Sequence, residues 1–457
     1  MELQSRLSEY RKTFLLAYPV SLAYLSHIMT GLIDNIMVGQ IGADKLAASS
    51  LANTVMVMPM VFGLGMSFGL TPLVANAHGQ NNISRINTFQ QSGLLVNTGI
   101  GVMIFLLMFY STWIFQYLDQ ETLIVELAIP YLKVIAISMI PFMVFQNYKQ
   151  FADGVSITKT AMYISILGNA FNIILNYILI FGKLGFPAYG LMGAGYATLI
   201  SRILMALGMM FAVLYLRDFK DFKIKVVSSS ALGLSNIRDI LNIGGPSGMQ
   251  MVFEAGAFSI SAIMVGWIGY RELASHQIAI SIASATYVMA AGLGAASTIR
   301  VGNQLGAMKF DMVRTVGKIG MEMSAIFMAI AGLIFIILNT WLPTLYVEEI
   351  SVIKMASSLI IISAAFQIFD GLQVAAMGAL RGLSDVKWPT LIAVFSYWGL
   401  GLPCSYIFAF WLNMGVQGVW YGFIIGLGSA AILLGYRFFR KTKPKRLIKI
   451  EQALMPR

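Results

Sequence analysis

Residues 19–42 read PVSLAYLSHIMTGLIDNIMVGQIG, and residues 246–269 read PSGMQMVFEAGAFSISAIMVGWIG. At a shift of 227 residues the two stretches share Pro19/Pro246, Met37-Val38-Gly39/Met264-Val265-Gly266 and Ile41-Gly42/Ile268-Gly269. The register continues through Leu46-Ala47/Leu273-Ala274, Gly65/Gly292, Thr71/Thr298, Val74/Val301, Asn76/Asn303 and Gly79/Gly306. It then drifts slightly: Gly154/Gly382 and Lys159/Lys387 pair at 228, and Gly190/Gly415, Gly193/Gly418 and Tyr196/Tyr421 at 225. A proline and a run of glycines matching at one offset mark an internal duplication.

Composition says what was duplicated. Hydrophobic residues make up 58% of the 457 and charged residues 11%, against roughly a quarter charged in soluble domains. The mean hydropathy is +0.76, so the chain lacks the polar groups to cover a water-facing surface. Apolar runs long enough to cross about 30 Å of hydrocarbon fall near 14–38, 46–77, 90–118, 127–152, 160–181, 189–216, 240–267, 273–305, 315–346, 351–380, 388–411 and 415–437. Several exceed the length a straight span needs, which predicts tilt, kinks or extensions beyond the bilayer. The fold class is therefore an all-α polytopic membrane protein of twelve spans. Six is even, so both halves enter the membrane in the same orientation. They are parallel repeats about an axis along the membrane normal. Residues 1–225 make one lobe and 226–457 the other, joined by a polar linker around 217–235 that contains Ser228-Ser229-Ser230.

The net charge of +11 is topological. The lysines and arginines cluster at Arg6/Arg11/Lys12, at Arg217/Lys220/Lys223/Lys225/Arg238, at Arg300/Lys309/Arg314/Lys318 and in the tail from Arg437 to Arg457. Only Lys45, Lys133, Lys183, Arg271 and Lys354 fall on the other side, and Arg202 lies within a span. That asymmetry puts both termini in the cytoplasm. No soluble face interleaves basic and aromatic residues, which argues against a nucleic-acid partner. A single cysteine, Cys404, excludes an intramolecular disulfide and a multi-cysteine metal site. The first apolar run reads as a retained helix, not a signal peptide, since no small-residue cleavage site follows it.

Three acids sit deep in apolar spans: Asp34, Glu254 and Asp370. A carboxylate at the bilayer centre costs about 2.5–3.5 kcal/mol on insertion scales, so such groups face a cavity or a partner. Each lies on a polar stripe at helical spacing: His27, Thr30, Asp34; Ser247, Gln250, Glu254, Ser261; and Ser363, Gln367, Asp370, Gln373. The fifth span adds Ser165, Asn169, Asn172 and Asn176. Steps of three and four put each set on one face. Helix–helix hydrogen bonding would account for the Asn and Ser residues alone. The acids need more, because Arg202 is the one deep cation in this reading. At the repeat offset Asp34 corresponds to Ser261 and Glu254 to His27, so the scaffold duplicated and the charges did not. Glu322 and Lys318, one turn apart, read as a snorkelling pair. The histidines His27, His78 and His276 make no metal-ligand spacing, with His78 solvated at a helix end. No G-x-x-x-x-G-K-[ST] occurs, which argues against an ATP-driven pump, and Gly63-Leu64-Gly65 is a helix-packing feature.

With Asp34 in Thr30-Gly-Leu-Ile-Asp34-Asn-Ile-Met-Val-Gly39, Glu254 in Gln250-Met-Val-Phe-Glu254, and the later Phe369-Asp370-Gly371 and Ala379-Leu-Arg-Gly382, the chain resembles the multidrug and toxic compound extrusion (MATE) family and its NorM subfamily. The resemblance covers nearly the whole sequence. It implies a V-shaped pair of six-helix bundles and a multi-pass monomer of the bacterial inner membrane. It also implies export of organic cations and amphipathic drugs by antiport with inward Na+ or H+, with no cofactor beyond that ion. Xenobiotic efflux and antibiotic resistance follow from the same likeness. By motif, Asp34, Asn172, Asn176 and Thr198 fall at the N-lobe cation and proton site. Glu254 and Asp370 fall where NorM-like members bind the coupling cation as Na+ ligands. Drug and ion would compete for Asp34, Glu254 and Asp370, with Gln250, Ser261 and Gln367 beside them on the substrate surface. One departure is Phe366, which stands where some sodium-dependent relatives carry tyrosine and so removes a ligand oxygen.

Two rival readings are weaker. A lipid-linked oligosaccharide flippase of the same superfamily would need a cationic cavity, whereas the deep charges are acidic. An intramembrane enzyme such as an acyltransferase would need a His-Asp or Ser-His pair near the membrane face, and the sequence offers none. The chain therefore reads as a transporter and not an enzyme.

Overall fold

The computed structural model describes residues 3–117, 120–222 and 233–443. Ser228-Ser229-Ser230 of the expected linker and the tail beyond Lys443 lie outside the described residues. Among those described, every regular element is helical, and twelve helices are long and apolar enough to cross a membrane. In chain order the helices are α1 (Leu3–Gly39), α2 (Ala43–Ser67), α3 (Leu70–Gly79), α4 (Ile83–Tyr110), α5 (Thr122–Gly154), α6 (Thr158–Phe181) and α7 (Leu191–Tyr215). The second half supplies α8 (Leu234–Ile268), α9 (Tyr270–Gly306), α10 (Phe310–Leu338), α11 (Ile350–Gly382), α12 (Lys387–Val394), α13 (Leu402–Tyr406) and α14 (Gly415–Lys441).

Besides the third span, which ends in a 3₁₀ stretch at Ser111–Tyr117, two spans are interrupted, and a proline stands at each break. The second span, Ala43–Gly79, breaks at Phe68-Gly69 into α2 and α3. Pro72 has no N–H to give the carbonyl four residues earlier, which lies at the break. Its repeat mate is Ile299, and the corresponding α9 runs unbroken for 37 residues. The eleventh span passes through π-helical stretches Phe395–Gly401 and Ile407–Trp411 on either side of α13. Pro403 again lacks the donor an α-turn requires, and a wider turn absorbs the mismatch.

The chain forms two compact units. One comprises Met1–Ser21, Ala75–Asn81 and Met249–Arg457, the other Leu22–Val74 and Asn82–Gly248. The residues that open each repeat thus group with helices of the other repeat. In the first unit Val265, Ala279, Leu359, Trp420, Leu434 and Phe438 form the buried core. In the second it is Ile104, Phe115, Leu132, Met139 and Met143. Close backbone approach carries the repeat into three dimensions. A Cβ on Gly65 would sit 2.6 Å from the Ser247 carbonyl oxygen, and one on Gly292 would lie 2.7 Å from that of Ala17. Ser247 and Val20 are repeat mates, so α2 meets α8 as α9 meets α1. On α10 the face Ile326, Ile330, Leu333 and Ile337 is more than half exposed. An apolar stripe of that kind is what a lipid-facing helix presents.

Candidate functional site

The polar stripes converge within each unit. In the second unit α1 and α6 face one another. The Asn176 side-chain amide donates to Asp34 Oδ1 at 2.5 Å and to Asn172 Oδ1 at 3.2 Å, and Asn169 donates to Ser26 Oγ at 2.6 Å. Asn172 and Asn176 are buried, Asp34 is half-buried, and so is Thr198 on α7. Thr30 bonds back to the Ser26 carbonyl of its own helix. Arg202 donates to Ser138 Oγ at 2.8 Å and lies 4.8 Å from the centre of the Phe142 ring, within electrostatic reach of Asp34. Its local partners are thus a hydroxyl and an aromatic face.

In the first unit α8 and α11 bring the other two acids together. Glu254 accepts weak hydrogen bonds from Gln250 Nε2 and Gln373 Nε2, both at 3.4 Å. Gln373 also stands one turn from Asp370 on α11, and the two carboxylates lie within electrostatic reach of each other. One amide therefore bonds Glu254 and stands on the same helix as Asp370. Arg381, from Ala379-Leu-Arg-Gly382, donates to Gln250 Oε1 at 3.4 Å and lies within electrostatic reach of Glu254. Gln367 donates to the Ala283 carbonyl at 3.4 Å. Ser261 and Ser363 each bond a carbonyl of their own helix. Phe366 packs its ring 5.7 Å from Trp420 and 6.1 Å from Phe423. His276 is buried and accepts a hydrogen bond from Trp420 Nε1 at 3.2 Å, while His78 is half-buried rather than solvated. Among the buried oxygens without a hydrogen-bond partner are Gln367 Oε1, Gln373 Oε1 and Tyr397 Oη, and, in the other unit, Asn176 Oδ1. A buried oxygen left unpaired costs about 1–3 kcal/mol, so oxygens beside two carboxylates suit a cation.

Two charge readings need correction. Arg202 is not the one deep cation, because Lys149 and Arg300 are also buried. Lys149 pairs with Asp153 at 3.0 Å, and Arg300 pairs with Glu9 while donating to Thr13 Oγ1 at 2.6 Å. Glu322 is bound mainly by Arg6 at 2.9 Å and Tyr10 at 2.5 Å, with Lys318 at 3.6 Å. The polar first turns of α1 hide these partners from a hydropathy reading. Tyr397 was not legible either, since an aromatic residue in an apolar span reads as packing.

The chain matches the MatE family profile over residues 19–178 and again over 246–407, each match beginning at a repeat proline. It is 33% identical over 433 residues to the multidrug resistance protein NorM of Photobacterium profundum, spanning 94% of this chain and 95% of that one. With the multidrug resistance protein MdtK of Edwardsiella ictaluri it shares 32% over 446 residues, 96% and 97% of the two chains. Among solved structures, the eukaryotic MATE transporter AtDTX14 superposes with a TM-score of 0.88 at 21% identity, over 98% of this chain and 100% of that one. A MATE structure in the bent conformation gives 0.88 at 21%, over 97% of each chain. Those structural likenesses speak to the fold, and the sequence matches speak to descent: the chain belongs to the MATE family, in its NorM-like branch.

Proposed function

We propose that this chain is a multidrug efflux transporter of the bacterial inner membrane that exports organic cations and amphipathic drugs by antiport with Na+. The NorM and MdtK relatives support multidrug efflux. The observation that carries the coupling is the pair Glu254 and Asp370, within electrostatic reach of each other, with Gln373 on Glu254 and its own oxygen left without a partner. Two carboxylates side by side repel, so the pair is stable only when a cation or a proton shares it. Hard cations prefer oxygen ligands, and the two carboxylates with the partnerless Gln373 and Tyr397 oxygens can supply them. Asp34 with Asn172, Asn176 and Thr198 forms the N-lobe counterpart. In alternating access, ion and drug displace one another from the acids. The membrane potential adds about 2.3 kcal/mol per charge per 100 mV to inward cation movement. Proton antiport is the second reading, favoured by the same repulsion between Glu254 and Asp370.

Dye efflux from vesicles, under sodium and proton gradients imposed separately, tests this. Sodium-driven efflux is expected. Efflux that neither gradient drives would remove antiport altogether.

A further inference from the structure

Tyr397 belongs to no polar stripe and stands in the π-helical stretch Phe395–Gly401. It is 6% exposed, and its hydroxyl has no hydrogen-bond partner. Its ring lines an apolar pocket with Ala257, Phe258, Leu402 and Phe423, while Glu254 and Asp370 both lie within its electrostatic reach. The ring is therefore fixed by packing against α8 one turn beyond Glu254, and its oxygen is left without a partner within electrostatic reach of both acids. A π turn holds one residue more than an α turn, so it re-aims the side chains before Pro403 relative to those after it. The Gln373 amide faces Glu254 at 3.4 Å and keeps its own oxygen unpaired. Phe366 has no oxygen to offer, and its ring is occupied by Trp420 and Phe423.

We propose that the Tyr397 hydroxyl is a ligand oxygen of the coupling-cation site, completing with Glu254, Asp370 and Gln373 an all-oxygen shell that discriminates sodium from a proton. This rests on the sodium reading above. A proton needs one carboxylate oxygen, whereas sodium needs several ligands at once, so a neutral oxygen here strengthens sodium binding selectively. Tyr397 does for this chain what a tyrosine at position 366 would do, from a different helix.

The test is the sodium-induced rise in melting temperature of the purified full-length protein, for wild type and Tyr397→Phe. The substitution keeps the ring and deletes a partnerless hydroxyl, so in sodium-free choline buffer the variant should melt at or above the wild-type temperature. With sodium added, the concentration needed for a given rise in melting temperature should increase by about tenfold, the equivalent of 1.4 kcal/mol. Sodium-driven efflux should weaken to match, with proton-driven efflux unchanged, and the exposed Tyr163→Phe should behave as wild type. Equal sodium requirements for the same rise in the wild type and Tyr397→Phe would overturn the role of Tyr397 and leave sodium coupling standing. A wild type whose melting ignores sodium would overturn both.

Discussion

Gly306 lies so close to the backbone carbonyl of Asn76 that a Cβ at position 306 would fall on the oxygen, and Gly79 stands in the same relation to Asn303. The two contacts are repeat mates at the 227-residue shift. Nothing flexible can yield there, because the obstacle is backbone in both cases. Gly306→Ala should therefore destabilise by about 1–3 kcal/mol, the usual range for overpacking. Gly99, on α4, has open space around its Cα, so Gly99→Ala should be neutral or slightly stabilising. Thermal denaturation in detergent compares them, and equal melting of both variants would refute the close approach.

Lys149 and Asp153 sit one turn apart on α5 with side chains 6% and 3% exposed, and the Tyr24 ring lies 5.4 Å from the ammonium. Breaking a buried pair on one side leaves an uncompensated charge and costs about 3–5 kcal/mol, whereas replacing both partners with apolar groups is often neutral. Asp153→Leu alone should sharply lower membrane abundance. Combining it with Lys149→Met should restore it. A double variant no better than the single would point to a role beyond charge balance.

The sequence patterns that served best were local ones. Apolar length gives the spans, and steps of three and four gave the stripes that meet as Asp34–Asn176 and Glu254–Gln373. The expected fourth span, 127–152, contained Lys149 but stopped one residue short of Asp153, so the i,i+4 pair in which the two charges cancel was missed. Glu9 was hidden similarly: α1 starts at Leu3, so a segment read as a polar terminus is helical and carries a buried acid. Tyr397 depends on a π turn, which breaks the periodicity that a stripe search relies on. Which stripes face each other is a tertiary fact, available beforehand only through family likeness.

Charge removal tests the acids directly. Glu254→Gln and Asp370→Asn keep size and hydrogen-bonding capacity while deleting the charge a cation needs. Both should abolish ion-driven efflux at normal abundance in the membrane. Normal transport by either variant would make that acid structural.

Orientation follows from the distribution of lysine and arginine. With Cys404 replaced by serine, cysteines placed singly at Ser229 and Lys443 should resist an impermeant thiol reagent in intact cells. One at Lys183, in the exposed connection between α6 and α7, should react. The reverse pattern would invert the topology.

The coupling ion can be decided by the sign of a pH effect. Sodium and protons compete for the same carboxylate oxygens, and a carboxyl that has taken a proton no longer offers the charge that holds sodium. Sodium added at constant pH should therefore release bound drug, and the concentration required should rise as the medium is acidified. Linkage limits that rise to about tenfold per pH unit for each proton displaced, and the requirement should level off once the pH is high enough to leave the site deprotonated. On the sodium reading, Asp34 with the Asn172 and Asn176 amides, and Glu254 and Asp370 with Gln373, would each supply several oxygens, so a proton alone would leave most of these atoms unused. Equilibrium drug release against sodium, measured at several fixed pH values, gives the sign. Full efflux in sodium-free medium, driven by a pH gradient alone, would defeat the sodium assignment and leave proton antiport as the mechanism.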